Sequence, residues 1–360
     1  MSIIQLNYDD KERWNKLVET APAFCLMQSY EWGEFKETQG WKAQRLALKE
    51  NGNLIAGVQV LFRPILNGLL SVAYIPRGPI IQVEDRSGVE ALLSAVHTLA
   101  HKSRAIFIKI EPYWEHNPAT TRYLENQGFE VSKQTIQPRA SIILDLTLEP
   151  KDLLLKMHRS TRYNIHVASR NGVGIQEGSE SDLPSFYEML SYTAERNKFP
   201  IRPFEYYKQE WLKFNRKGFV KLFFAKYDRK YIGARMAFFI GKYAADLHAA
   251  SLTEFNYLKA NPLLVWETMM WAKRNGCFFY DLWGIPDEVG EVYRKEECDP
   301  AKKEGGLWGV YLFKRGFGGK VVYYSGAYDY VYKKYIYSVF VKNIFRNATV
   351  EEILHKYFER

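Results

Sequence analysis

Cysteine is scarce, with three residues in 360: Cys25, Cys277 and Cys298. An odd number, far apart and in no metal-ligand spacing, excludes a disulfide framework and a cysteine zinc site. It fits reduced thiols in a cytosolic protein. Long apolar runs are missing as well. The best, residues 335–345, is too short to cross a bilayer and is broken by Lys342. The first residues, MSIIQLNYDDKERW, turn polar and acidic at once, which is not a secretory signal. No GxSxG elbow, HExxH pair, P-loop or GxGxxG occurs. Residues 251–266, SLTEFNYLKANPLLVW, carry Asn and Pro where a coenzyme A pyrophosphate loop needs glycines.

What is present describes a soluble globular chain. The hydrophobic fraction is 47% and the charged fraction 25%, which excludes wholesale disorder, and 360 residues are comfortable for two domains. Lys and Arg number 50 against 41 acidic residues, a net charge of +9. That excess suits RNA, a nucleotide-linked substrate or an acidic membrane surface, or else a basic surface that aids solubility. Aromatics are plentiful, with 25 Tyr and 22 Phe.

The pattern alternates strand and helix, and it does so twice. Residues 41–48 and 54–62 read as strands joined by the turn Asn51-Gly52, followed by a helix over 89–101 and a buried strand over 105–110. The second half repeats this with strands over 220–226 and 231–240, a helix over 263–275 and a buried strand over 277–282. Each copy continues into a helical segment that ends in Gly-Phe, at Gly128-Phe129 and Gly316-Phe317. One α/β unit used twice, with a cleft between the copies, is the expectation. Between them a strand over 140–148 leads into one basic helix over 151–169, closed by Asn171-Gly172.

Five constellations stand out. Arg159 and Tyr163 lie four apart, on one helix face, and suit a phosphate or carboxylate or else form a solvated basic face. In SYEWGEFK, Tyr30, Trp32 and Phe35 anchor a core and leave Lys36 at its rim. Tyr74 stands at the mouth of the stiff loop Tyr74-Ile75-Pro76-Arg77-Gly78-Pro79. Asp246 and His248 share one strand face by alternation, as a base and its orienter or as an ordinary polar face; no metal is expected there. In GVYLFKRGFGG, Phe313 and Lys314 combine an aromatic and a cation, as for a stacked base beside a phosphate.

Taken in order, QSYEWGEFK, YIPRGP, QPRASIILDL, TRYNIHVASRNGV, YDLWGI and LFKRGFGG resemble the Fem family of peptidoglycan-bridge aminoacyltransferases (FemX/FemA/FemB) over nearly the whole chain. The resemblance implies an α/β fold of two tandem N-acetyltransferase-like domains, the second inserted so that the C-terminal segment completes the first. The expected boundaries are 1–146 with 319–360, and 147–318. It implies an arm-less, FemX-like architecture and an enzyme without cofactor, working in cell wall biogenesis as a cytoplasmic monomer. Such an enzyme takes an amino acid from aminoacyl-tRNA and adds it to the stem peptide of UDP-MurNAc-pentapeptide or of a lipid-linked precursor. By the same resemblance Lys36, Tyr74, Arg159 and Tyr163 bind the precursor, and Phe313 and Lys314 receive the tRNA end.

This chain departs from the family in carrying Asp246 and His248 where tyrosines are common. Ester aminolysis is downhill, so the obstacle is the acceptor amine, which must lose a proton. Lys314 is expected to stabilise the oxyanion, and Asp246 with His248 is the protein alternative to the substrate's own phosphate or carboxylate as proton acceptor. The tail YDYVYKKYIYSVFVKNIFR, at roughly helical spacing, either docks on a membrane at the inner face or packs on the first domain. Two competing readings remain open: a coenzyme A-dependent N-acyltransferase on the same fold, and a non-catalytic tRNA- or precursor-binding module.

Overall fold

The computed structural model describes residues 1–81, 86–294 and 306–339. Two compact units emerge, Met1–Gln137 with Tyr324–Arg360, and Pro138–Tyr323. Cys298 and the tail from residue 340 onward lie outside the described residues.

Unit 1 runs β1 (Ser2–Leu6), α1 (Lys11–Glu19), α2 (Tyr30–Thr38), β2 (Lys42–Glu50), β3 (Asn53–Ile65), β4 (Leu70–Pro76) and β5 (Ile80–Ile81), then α3 (Arg86–Lys102), β6 (Ala105–Glu111), α4 (Pro118–Asn126) and β7 (Glu130–Val131). Unit 2 follows with β8 (Ala140–Asp145), α5 (Pro150–Lys156), α6 (Arg159–Arg170), β9 (Gly174–Gly178), α7 (Leu183–Asn197), α8 (Phe204–Asn215), β10 (Val220–Tyr227), β11 (Lys230–Ile240) and β12 (Tyr243–Ser251). It ends with α9 (Ala260–Arg274), β13 (Phe279–Asp281), α10 (Asp287–Arg294), α11 (Trp308–Arg315) and β14 (Lys320–Tyr323). The chain then returns to unit 1 as β15 (Tyr328–Val331).

The two sheets trace one path. Unit 1 is ordered β1-β2-β3-β4-β6-β15-β7, with β5 on the side of β3, and unit 2 is ordered β9-β10-β11-β12-β13-β8-β14. In each, four antiparallel strands meet a parallel neighbour across a helical crossover, and two antiparallel strands close the far edge. The strand inserted beside that parallel neighbour comes from outside the local run: β15 in unit 1 and β8 in unit 2. The expected boundaries at 146/147 and 318/319 therefore move to 137/138 and 323/324. The cause is pairing, because β8 hydrogen-bonds to β13 and β14, which puts residues 140–145 and 320–323 into the second sheet.

Local chemistry explains the elements. β3 turns Val58, Val60 and Phe62 to one face, where they pack with Leu92 and Val96 of α3, and on the other face Gly57 leaves room for Trp14 of α1: a Cβ there would come within 2.5 Å of the indole. The long basic helix expected over 151–169 is two helices, broken at Met157 and His158, both in extended conformation. Met157 is buried, the His158 N–H donates to the Gly316 carbonyl at 2.8 Å, and Arg162 Nη1 donates to the Leu154, Leu155 and Met157 carbonyls at 3.2, 3.2 and 2.6 Å, capping α5. The tail fits the helical reading only in part: it begins as β15, with Tyr328 buried against β6, and is helical over 334–339. Among the described residues no helix is long and apolar enough to cross a membrane.

Candidate active site

The sheet of unit 2 opens at one place. β12 and β13 pair only over Tyr243 to Ala245 and Phe279 to Asp281, after which β12 runs on to Ser251 beside β11 alone. At this opening β12 carries a bulge: Met236 faces His248 and Ala237 faces Asp246, so Leu247 is the extra residue.

The bulge overturns the expectation that Asp246 and His248 share a face. Asp246 falls on the side of Arg235, Ala237 and Phe239, whose ring lies 4.6 Å from Trp271 of α9. His248 falls on the side of Phe238, which meets Phe214 of α8 at 5.5 Å. An inserted residue inverts the two-residue period, and alternation read from sequence cannot register it.

On the α9 side the charges are dense. Asp246 Oδ2 accepts from Arg235 Nη1 at 2.6 Å, and Oδ1 accepts from the Tyr280 hydroxyl at 2.7 Å. Arg235 Nε is buried with no hydrogen-bond partner among the described residues. Lys314 of α11 reaches the same region. Its ammonium donates to the Trp283 carbonyl at 3.1 Å and the Gly284 carbonyl at 2.7 Å, leaving a third N–H with no protein acceptor among the described residues. Burial pulls the Lys314 ammonium down to about 8, opposed by Asp246 and Asp281 and helped by Arg235. Trp283 turns its carbonyl toward this ammonium from φ +63°, a conformation that costs an indole-bearing residue roughly 1–3 kcal/mol.

On the α8 side, His248 Nε2 lies 2.8 Å from Oε2 of Glu210, a carboxylate only 1% exposed. The Tyr207 ring packs edge-on against the imidazole at 5.1 Å. With Nε2 on Glu210, Nδ1 has no protein hydrogen bond among the described residues. The partner that orients His248 is therefore Glu210, not Asp246.

Phe313 walls a pocket of about 270 Å³ with Asn164 of α6, Ile232, Ser251 and the start of α9 at Lys259 to Pro262. Helices α6 and α11 meet through Gly316, where a Cβ would come within 2.3 Å of Thr161 Oγ1. Arg159 and Tyr163 stand on the outer side of α6, and Tyr163 is 61% exposed. Unit 2 thus holds Arg159, Tyr163, Asp246, His248, Phe313 and Lys314, while Lys36 and Tyr74 belong to unit 1.

In unit 1 Lys36 is not at a rim. It is buried, with its ammonium 5.6 Å from the ring centres of both Trp32 and Phe35, because α2 is enclosed along most of its surface. Its carbonyl accepts from the Trp41 N–H at 3.1 Å, and Trp41 packs against Tyr74 at 6.4 Å. Tyr74 is buried too. Its hydroxyl donates to Glu111 Oε2 at 2.5 Å and accepts from Gln137 Nε2 at 3.1 Å. Burial raises the Glu111 carboxyl against the pull of Lys109, Tyr74 and the N–H groups of Ile136 and Gln137.

Sequence reading missed Arg235, Glu111 and Glu210. The first two leave a signal: Arg235 is a lone charge in the apolar strand YIGARMAFFI, and Glu111 is one of two charges, with Lys109, in AIFIKIE. Glu210 leaves none, since a carboxylate in KQEWLKF looks like a solvated helix face.

Comparison with known proteins gives the class of protein to which this fold and site belong. The FemAB family model matches residues 10–127, 120–232 and 214–342, and the chain belongs to this family, as a transferase. It is 23% identical over 400 aligned residues to the Lipid II:glycine glycyltransferase of Staphylococcus aureus (strain MRSA252), covering 89% of this chain and 91% of that protein. The same enzyme of strain Mu50 / ATCC 700699 is 22% identical with the same coverage. The crystal structure of FemX matches with a TM-score of 0.83 at 21% identity, over 94% of this chain and 99% of that one. A tandem GNAT protein from the clavulanic acid biosynthesis pathway matches at 0.52 and 11% identity, over 91% and 97%. The fold is two N-acetyltransferase-like units in tandem.

Proposed function

We propose that this transferase moves an aminoacyl group from aminoacyl-tRNA to an amine on the stem peptide of a peptidoglycan precursor, as in bridge formation. The observation that carries the reading is Lys314. It is a half-buried lysine whose ammonium is held by two carbonyls, with one N–H unused among the described residues, beside the opening between β12 and β13. In the reaction the acceptor nitrogen attacks the ester carbonyl. A C–N bond forms, the ester C–O bond breaks, and the tRNA ribose hydroxyl leaves with a proton.

The unused N–H of Lys314 suits the oxyanion of the tetrahedral intermediate, a contribution of about 2.7–4 kcal/mol for a well-placed donor. Phe313 and its pocket suit the aminoacylated end of tRNA. His248, oriented by Glu210 and with Nδ1 available, is the protein group suited to take the proton of the attacking amine. Asp246 serves differently, as the anion that keeps Arg235 and Tyr280 in place beside Lys314. Arg159 and Tyr163, exposed on α6, are assigned to the precursor; Lys36 and Tyr74, both buried in unit 1, keep only the role that the family resemblance implies. The relatives' name supports a lipid-linked acceptor.

A panel of charged tRNAs, offered with UDP-MurNAc-pentapeptide and with the lipid-linked precursor and read by product mass, tests the proposal. A mass gain of one aminoacyl residue on either acceptor is expected. No gain with any tRNA, together with acylation from acetyl coenzyme A, overturns it.

A further inference from the structure

One edge of unit 1 carries features that acyl transfer does not use. The β3–β4 connection is ILNGLL, in which Leu66, Asn67 and Gly68 all have positive φ. This turn lifts Leu66 and Leu69 out of the sheet, and each is 64% exposed, while Ile65 and Leu70 at the base are half-buried. A leucine held at φ +50° with its side chain in water gains nothing from the core.

Cations surround the tip. The Ser71 N–H donates to the Arg104 carbonyl at 3.1 Å and Ser71 Oγ donates to the Ser103 carbonyl at 2.7 Å, which ties the hairpin base to the end of α3. Lys102 and Arg104 are exposed there. Next along the same edge, the Lys333 N–H donates to the Ile106 carbonyl at 3.1 Å, so Lys333, Lys334 and Tyr335 follow, Tyr335 being 83% exposed. No Asp or Glu occurs in residues 51–83, 91–110 or 332–339. Glu37, near the start of β2, is held by the Ala43 N–H at 3.3 Å.

We propose that this edge docks on an anionic lipid surface, with Leu66 and Leu69 entering the acyl boundary, Tyr335 at headgroup level, and Lys102, Arg104, Lys333 and Lys334 facing the anionic headgroups. The exposed Glu130 of β7 faces Tyr337 further along this edge; at the hairpin tip, aliphatic anchors ringed by cations are the composition that a bilayer interface selects. RNA, the other polyanion, offers nothing to exposed leucines. The inference stands on the composition of this edge and does not depend on the transfer reaction.

Co-sedimentation of the full chain with phosphatidylglycerol/phosphatidylcholine vesicles, against pure phosphatidylcholine, tests it. Binding to the anionic vesicles is expected to weaken with salt. Leu66→Ser/Leu69→Ser should raise the lipid needed for half-binding roughly tenfold or more, and Lys102→Gln/Arg104→Gln should raise it severalfold. Circular dichroism and transfer to a soluble acceptor, both unchanged, would show that the variants fold. Equal binding by wild type and the leucine variant overturns the proposal. So does a cation variant that loses affinity for a short RNA but not for vesicles, since the edge is then an RNA surface.

Discussion

The two units follow one strand order, yet they treat the same junction in opposite ways. In unit 1 the parallel pair β4–β6 stays hydrogen-bonded from Ser71 to Pro76, against Ala105 to Glu111. In unit 2 the equivalent pair, β12–β13, parts after three residues. Buried charges divide likewise. Lys109 on β6 is neutralised by Asp329 at 2.8 Å, and Asp329 also accepts from Ser132 and Tyr337. Among the described residues Lys314 meets only carbonyl oxygens directly. A closed junction with paired charges stabilises; an open junction with a desolvated, unneutralised ammonium holds chemical potential in reserve.

The sharpest way to break this contrast is to remove each lysine. Lys109→Met leaves Asp329 buried and uncompensated, and should cost about 3–5 kcal/mol in denaturant unfolding. Lys314→Met should lower turnover roughly 10²–10³-fold with a melting temperature at pH 7 equal to wild type or higher. If Lys314→Met unfolds the protein while Lys109→Met is neutral, the division of labour is reversed.

Acidity sharpens the same point. The Lys314 ammonium titrates at about 8 in the folded chain against an ordinary value of 10.5. Between those values the unfolded chain holds the extra proton, so this group's contribution to stability rises with pH across that window and is lowest below it. Turnover that needs the charged donor moves the other way and falls as pH passes about 8. Pairs of pH–rate and pH–melting profiles for wild type and Lys314→Met check both signs, and the variant should lack both trends.

How far the sequence carries can be judged at this junction. Apolar periodicity and turn residues were enough to place β2, β3, β6, β10, β11, α3 and α9, because each signal is local. Lys314 stood out in GVYLFKRGFGG from its residues, and family resemblance implied its role. The bulge at Leu247 and the break at Met157 were illegible, since one depends on cross-strand register and the other on a carbonyl of Gly316 far along the chain. The exchange of β8 and β15 between sheets was half legible. A returning C-terminal segment was expected, but nothing in ASIILD says which sheet it joins.

The bulge yields a smaller, more discriminating effect. Asp246 and His248 lie two residues apart but on opposite faces, whereas His248 and Glu210 lie 38 residues apart and touch at 2.8 Å. Double-mutant cycles on turnover should therefore show Asp246→Asn and His248→Gln adding within about 0.3–0.5 kcal/mol, and Glu210→Gln and His248→Gln coupled by about 0.5–3 kcal/mol. The reverse ranking would mean that strand alternation holds and the bulge does not govern the site.

The smallest effect concerns Arg159, and it separates binding from chemistry. Its guanidinium is exposed at the start of α6, one turn before exposed Tyr163. Water already solvates it, so its removal leaves no buried group stranded and should not move the melting temperature. A charge-assisted bond to a phosphate of the precursor is worth about 1.5–3 kcal/mol, and screening at an exposed site brings it to the lower end. Arg159→Ala should thus weaken calorimetric binding of UDP-MurNAc-pentapeptide about tenfold while turnover at saturating precursor stays near wild type. Equal affinity would remove Arg159 from the binding surface, and a loss of turnover at saturation would place it with Lys314 in the chemistry.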